Sequence, residues 1–147
     1  MSTNVVFDGN KQQLIQLVPT LTTPAAGADF TYTIPSTPHA AYSLEAISLT
    51  LTTSATVANR LVRFKVTRSS TIISAFAAPA VTAASSTLTV FFQKVGASNT
   101  QSTSSTIAIL PDLPPLLPGD ILATFTLNLQ AGDTLTVPVA WFVPVSL

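Results

Sequence analysis

Few residues in this chain could do chemistry, and they are scattered. The only histidine, His39, sits in "STPHAAY", a stretch of turn formers. The acids are Asp8, Asp29, Glu45, Asp112, Asp120 and Asp133, and none has a local acidic partner. That spacing suggests neither a paired-carboxylate glycosidase nor a calcium loop. A serine nucleophile needs a base oriented by a carboxylate, and no G-x-S-x-G elbow is present. No phosphate-cradling or dinucleotide-binding glycine pattern occurs. The chain has no cysteine, which removes disulfides and thiolate metal sites and fits intracellular synthesis. The expectation is a protein that is not an enzyme and carries no catalytic residue, cofactor or metal.

The one cluster of charge is Arg60, Arg63, Lys65 and Arg68, four of the six basic residues. Nucleic-acid binding would be the sharp reading of such a cluster. Against it, the cluster is small, no aromatic residues interleave on its face, and the formal net charge is zero. A solvated strand face is the expected role, with contact to an acidic protein surface as its functional version. Neither nucleic acid nor a membrane is an expected partner.

A second feature is the stretch "LPDLPPLLPGD", residues 110–120, which holds four of the eleven prolines. Proline removes conformational freedom from the unfolded chain and favours an extended backbone. Pro118-Gly119 suits the centre of a type II turn. Leu113, Leu116 and Leu117 would be exposed in a free loop, so they should either pack over the end of their own domain or dock on a neighbour. Asp112 and Asp120 read as turn caps through backbone N–H groups. Leu113, Leu116, Leu117, Arg60, Arg63 and Lys65 therefore form the candidate interaction surface.

The elements that must carry these residues are strands. "RLVRFKVT" alternates Val62, Phe64 and Val66 against Arg63, Lys65 and Thr67. "DFTYTIP", "LEAISLTLT" and "TLTVFFQ" align Phe30, Tyr32, Ile34, then Ile47, Leu49, Leu51, then Leu88, Val90, Phe92. "DILATFTLNLQ" sets Ile121, Ala123, Phe125, Leu127 and Leu129 on its more apolar face. "TLTVPVAWFVPVSL" sets Leu135, Val137, Val139, Trp141, Val143 and Val145 together, which gives Trp141 core parity. A period of two is the mark of half-buried strands. "QQLIQL" reads as strand rather than helical turn. Pro138 and Pro144 cannot donate to a ladder, so the last strand should lie at an edge or break at Pro138. Eight to ten strands with no helical period predict an all-β domain, an antiparallel two-sheet β-sandwich of jelly-roll-like topology. One domain over 1–147 is expected, with 1–28 as a candidate N-terminal arm.

Composition bears on partners. Charged residues make up 8% of the chain against about a quarter in ordinary soluble proteins. Mean hydropathy is +0.51, yet prolines and 38 Ser and Thr residues interrupt every apolar run before it reaches the about 20 residues of a spanning helix. The N-terminus does not read as a signal peptide. So neutral and apolar a chain should cover much of its surface with copies of itself or with a larger assembly. The rival reading is a β-sandwich with an uncharged, Thr-rich surface.

Two stretches carry a resemblance. They are "TTSATVANR", residues 52–60, and the combination of Leu110-Pro111, Pro118-Gly119 and Gln130-Ala131-Gly132-Asp133. In these the chain resembles small proteins encoded near the head genes of tailed bacteriophages. It departs from them in its extra Leu-Pro content and in the Ser/Thr-rich stretch around 98–105. The resemblance implies a β-sandwich virion component made in the host cytoplasm. A capsid decoration or cement protein is the expected role, acting as a homo-oligomer (a trimer by expectation) on the major capsid protein or other virion proteins. The alternatives are a neck or tail component and a carbohydrate- or receptor-binding module. One Trp and two Tyr, with Trp141 at core parity, argue against a sugar platform.

Overall fold

A computed structural model describes residues 2–7, 13–19, 21–36, 41–94, 100–101 and 104–145. The described residues contain no helix and eleven strands, slightly more than the eight to ten expected. In chain order these are β1 (Ser2–Phe7), β2 (Gln13–Val18), β3 (Thr31–Thr33), β4 (Tyr42–Thr52), β5 (Arg63–Arg68) and β6 (Thr71–Ala77). They continue with β7 (Thr87–Gln93), β8 (Thr100–Gln101), β9 (Ser105–Ile109), β10 (Ile121–Thr124) and β11 (Thr134–Pro144). Two sheets result, a seven-stranded one in the order β1-β2-β11-β4-β7-β9-β8 and a four-stranded one in the order β3-β10-β5-β6. "QQLIQL" belongs to a strand, and β1 and β2 pair with each other and join the large sheet through Leu17 opposite Phe142. Pairing is antiparallel except between β7 and β9, which run parallel because β8 turns the chain back before β9 begins.

The alternating residues of the sequence form the core between the sheets. Val62, Phe64 and Val66 of the β5 region are buried, as are Ile47, Leu49 and Leu51 of β4 and Leu88, Val90 and Phe92 of β7. Phe64 stacks on Phe76 at 5.2 Å between centroids, and Phe92 meets both edge-on at 5.6 and 5.0 Å. These rings join the small sheet to the large one, and aromatic pairs in such offset or T-shaped geometry add to the energy of burial. The β5–β6 hairpin turns on Ser69 and Ser70, both at positive φ as a two-residue primed turn demands.

Two strands depart from the expected parity. In β10 the core receives Leu122 and Thr124, while Ile121 and Leu127 of the same stretch are exposed. Register decides this. Leu122 lies opposite Val66 and Tyr32, which face inward, and Ala123 lies opposite Lys65, which faces outward. Burying Thr124 is tolerated because its Oγ1 accepts a 2.7 Å hydrogen bond from Phe30 N–H. In β11 the inward face changes from Leu135 to Ala140 and Phe142. The register against β4 shifts between Thr136 and Val139, at Pro138, and again between Trp141 and Phe142. A bulge inserts an extra residue and reverses the side on which later side chains fall. Trp141 therefore points to the outer face of the large sheet, half-buried, and meets Phe91 at 5.8 Å. The break at Pro138 is found, but β11 is not an edge strand, because it lies between β2 and β4.

The proline-rich stretch closes one end of the molecule. Leu110, Leu113 and Leu116 join the core. Leu116 exchanges backbone hydrogen bonds with Tyr42, at 2.8 and 2.9 Å. The turn Leu117–Asp120 has Gly119 at φ +86°, the left-handed position that a type II turn requires, and Asp120 N–H donates to Leu117 C=O at 3.0 Å. Leu116→Ala should lower unfolding free energy by about 2–5 kcal/mol, the range for deleting a fully buried leucine side chain. Urea titration followed by Trp fluorescence measures it, and an unchanged midpoint would contradict the packing role.

Candidate functional site

The basic cluster does not form a patch. Arg60 is completely buried, with 0% side-chain exposure, and so is its partner Asp133. The expectation of an exposed Arg60 on an interaction surface is thereby corrected. All five guanidinium N–H groups find acceptors. Nε donates to Asp133 Oδ2 at 2.8 Å, and Nη2 to Asp133 Oδ1 at 3.0 Å and Ser54 Oγ at 3.1 Å. Nη1 reaches the carbonyls of Thr56 at 2.8 Å and Ala58 at 2.6 Å. Asp133 also accepts from Ser54 N–H, Ser54 Oγ and Gln130 N–H at 2.7, 2.9 and 2.8 Å. A buried pair is tolerable only when its remaining donors and acceptors are satisfied, as here.

Nothing local in the sequence signals this pair, because 73 positions separate its members. Its two ends lie in the stretches "TTSATVANR" and "QAGD". Arg60 grips the carbonyls on either side of Val57, and Val57 is 95% exposed. The loop thus holds an apolar side chain out in solvent on a rigid base.

A second pair holds the opposite end of β5. Arg68 Nε and Nη2 form a fork on Asp120 at 2.9 and 2.7 Å, and Nη2 also donates to Pro115 C=O at 2.9 Å. Leu117 N–H donates to Asp120 Oδ2 at 2.8 Å, so the capping role expected of Asp120 is found. Burial raises the Asp120 carboxyl, but Arg68 and the Leu117 N–H outweigh it and hold the group below its ordinary value. Burial likewise opposes the Asp133 charge, and Arg60, Ser54 and Gln130 together hold that carboxyl well below the usual carboxylate range.

Between the two pairs, Arg63 and Lys65 remain on the outer face of the small sheet, half-buried, as the alternation predicted. Their neighbour is Phe125, which sequence reasoning did not associate with them. The Arg63 guanidinium lies 4.3 Å from the Phe125 ring centroid and its Nε donates to Phe125 C=O at 3.1 Å. Lys65 Nζ lies 5.7 Å from the same ring. Arg63, Phe125, Phe76, Ala75 and Ala77 line an open concavity of ≈ 300 Å³.

Of the three leucines assigned to the candidate surface, Leu113 and Leu116 are buried in the chain's own core and Leu117 is half-buried. Their inward packing answers one of the two readings of the loop, and its exposed residues are Asp112, Pro114, Pro115, Pro118 and Gly119. Among the described residues, no group of three or more His, Cys, Asp or Glu could hold a metal ion. His39 lies outside the described residues. No helix among them is long and apolar enough to cross a membrane.

Arg60→Met should cost about 3–5 kcal/mol, since it leaves Asp133 buried without its partner. Replacing both members with apolar residues of similar volume should recover part of that loss. Folded-state values for Asp133 and Asp120 lie below the unfolded value, which is about 4. Their contribution is therefore complete above that pH and is lost as pH falls toward the folded values. Urea midpoints should be flat above about pH 5 and decline below about pH 4, with a shallower decline in Asp133→Asn. An acid profile that the Asn variant left unchanged would contradict the assignment. No family model, curated protein or solved structure matches the chain.

Proposed function

We propose that the chain is a non-enzymatic structural protein of a bacteriophage virion, a capsid decoration or cement protein that stabilises the head through contacts with its own copies and with the major capsid protein. The observation that carries this reading is Val57, an apolar side chain 95% exposed on a loop clamped by a buried arginine. Rigid presentation lowers the ordering cost of forming a contact. Ile72 and Ile109 are also more than half exposed, and charged residues make up only 8% of the chain. A surface of this kind works by area, and contacts of ordinary size repeated over a shell need only modest pairwise affinity.

The finer fold reading is a jelly-roll-like β-sandwich. In its support, successive strands pass repeatedly from one sheet to the other, as from β2 to β3, β3 to β4 and β4 to β5. A second functional reading, a carbohydrate- or receptor-binding module, gains from Trp141 and Phe91. Both stand on the outer face of the large sheet, so the objection that Trp141 has core parity no longer applies.

Mass spectrometry of purified particles of the encoding phage tests the first reading. Hundreds of copies per particle are expected for decoration. A dozen or fewer would place the protein in the neck or tail, and absence would overturn the virion role. Val57→Asp should leave thermal melting unchanged, because the side chain touches solvent, and should lower particle occupancy. Burial of a valine contributes about 1.5–3 kcal/mol, so affinity should fall roughly tenfold or more. Full occupancy by the Asp variant would remove Val57 from the contact.

A further inference from the structure

We propose that the proline loop of one copy docks on the cationic face of the small sheet of the next copy, with Asp112 meeting Arg63 and Lys65. The proposal rests on the self-association reading above and names its contact.

The loop has two sides. Leu110, Leu113 and Leu116 point inward, and Arg68 and Tyr42 hold the backbone at Pro115 and Leu116. The outward side is Asp112, Pro114 and Pro115, continued by Pro118 and Gly119 at the turn, with Pro111 partly exposed. Pro111 and Pro114 have the P-x-x-P spacing of an extended proline segment. Such segments dock in aromatic-lined grooves at low entropic cost because they are already ordered. The concavity lined by Arg63, Ala75, Phe76, Ala77 and Phe125 offers such a segment one aromatic ring, that of Phe125, because the Phe76 ring packs inward against Phe64 and Phe92.

Charge selects this occupant. Arg60, Arg68 and Lys94 pair with Asp133, Asp120 and Glu45. Asp29 accepts the Thr126 N–H at 2.9 Å. Among the described residues, the charges left without an ion pair or a backbone donor are Asp112 on the loop and Arg63 and Lys65 on the face. The loop is tied to the Arg68 end of β5, whereas the groove lies at the Arg63 end. One copy cannot readily satisfy both, but two copies in head-to-tail order can. A contact between two different patches closes into a ring, such as a trimer, or propagates.

Sedimentation velocity of the full chain tests the contact by charge reversal. Lys65→Glu and Asp112→Lys each alter a charge that has no ion pair; Asp112 is exposed and Lys65 is half-buried beside Phe125, so melting is measured for each and should shift by no more than a few degrees. Each alone should weaken self-association about tenfold, and added salt should reduce the difference. The double variant, or an equimolar mixture of the two singles, should recover association to within a few-fold of the unaltered chain. Single variants that associate like the unaltered chain, while that chain does associate, would overturn this contact and leave the structural role standing. A double variant as weak as the singles would also overturn it. An unaltered chain that remains monomeric to about 1 mM, where a free energy near 4 kcal/mol would be detected, would overturn it too. Particle occupancy would then judge the structural role separately. Binding of the face only to an acidic segment of another protein, abolished by Lys65→Glu, would reassign the groove.

Discussion

Asp133 is the point at which distant parts of the chain are tied together. Its carboxylate receives Arg60, Ser54 and Gln130, and its main-chain carbonyl accepts the Gly27 N–H at 2.7 Å. Gly27 can approach so closely only because it lacks a side chain; a Cβ there would come within 2.7 Å of the Ala131 Cα. Three segments meet at this residue, from the stretch before β3, the β4–β5 connection, which contributes both Ser54 and Arg60, and the turn before β11. The ion pair itself need not add net stability, because removing two charges from water is costly. Its consequence is geometric. Once Arg60 is inside, the carbonyls it must satisfy fix the path of residues 54–59, and the alternatives leave buried charge without partners.

The same logic sorts the four basic residues that look like one cluster in the sequence. β5 is short, and its flanking arginines reach the two ends of the small sheet, where each finds an aspartate. The inner two fall on the outer face by strand parity and find an aromatic ring. Positions 60, 63, 65 and 68 are thus a ladder of roles along β5 and the segment that leads into it. Two fasten loops at opposite ends, and two are left to face solvent or a neighbour. Arginine suits the fastening roles because its planar fork can meet a carboxylate with two bonds and still donate to nearby carbonyls.

Much of the fold was legible because a single physical rule, alternation between water and core, governs most strands. Val62, Phe64 and Val66 obey it, and so do Ile47, Leu49 and Leu51. The rule misled in β10 and β11 for different reasons. In β10 both faces are apolar enough to be buried, so register with Val66 rather than hydropathy decided the matter. In β11 the pattern is regular in sequence, but the bulge at Pro138 changes the face without leaving a hydropathic trace, whereas the shift before Phe142 places its extra residue on β4 and leaves the face of β11 as it was. Proline itself was the available signal, and it pointed to a break but not to its direction. The Leu117–Asp120 turn was legible from Pro118-Gly119. The Arg60–Asp133 pair was not, since a lone arginine and a lone aspartate far apart look solvated until the chain is folded.

These placements explain how so weakly charged a chain can present a specific surface. Three of its charged pairs are used within the molecule, two of them fastening loops at the ends of the small sheet. The outer faces are left with threonine, alanine and exposed aliphatic side chains, and with very few uncompensated charges. On such a background each remaining charge carries more orientational information than it would on an ordinary ionic surface, because few competing pairings exist. In the proposed contact between copies, apolar area would supply affinity while Asp112, Arg63 and Lys65 would supply register. A chain built this way gains specificity from having almost no charge to misplace, provided that its loops are rigid enough to hold the remaining groups where a neighbour can meet them. The buried arginine under Val57 and the prolines around Asp112 meet that condition by separate means, one by hydrogen bonds to carbonyls and the other by covalent restriction of φ.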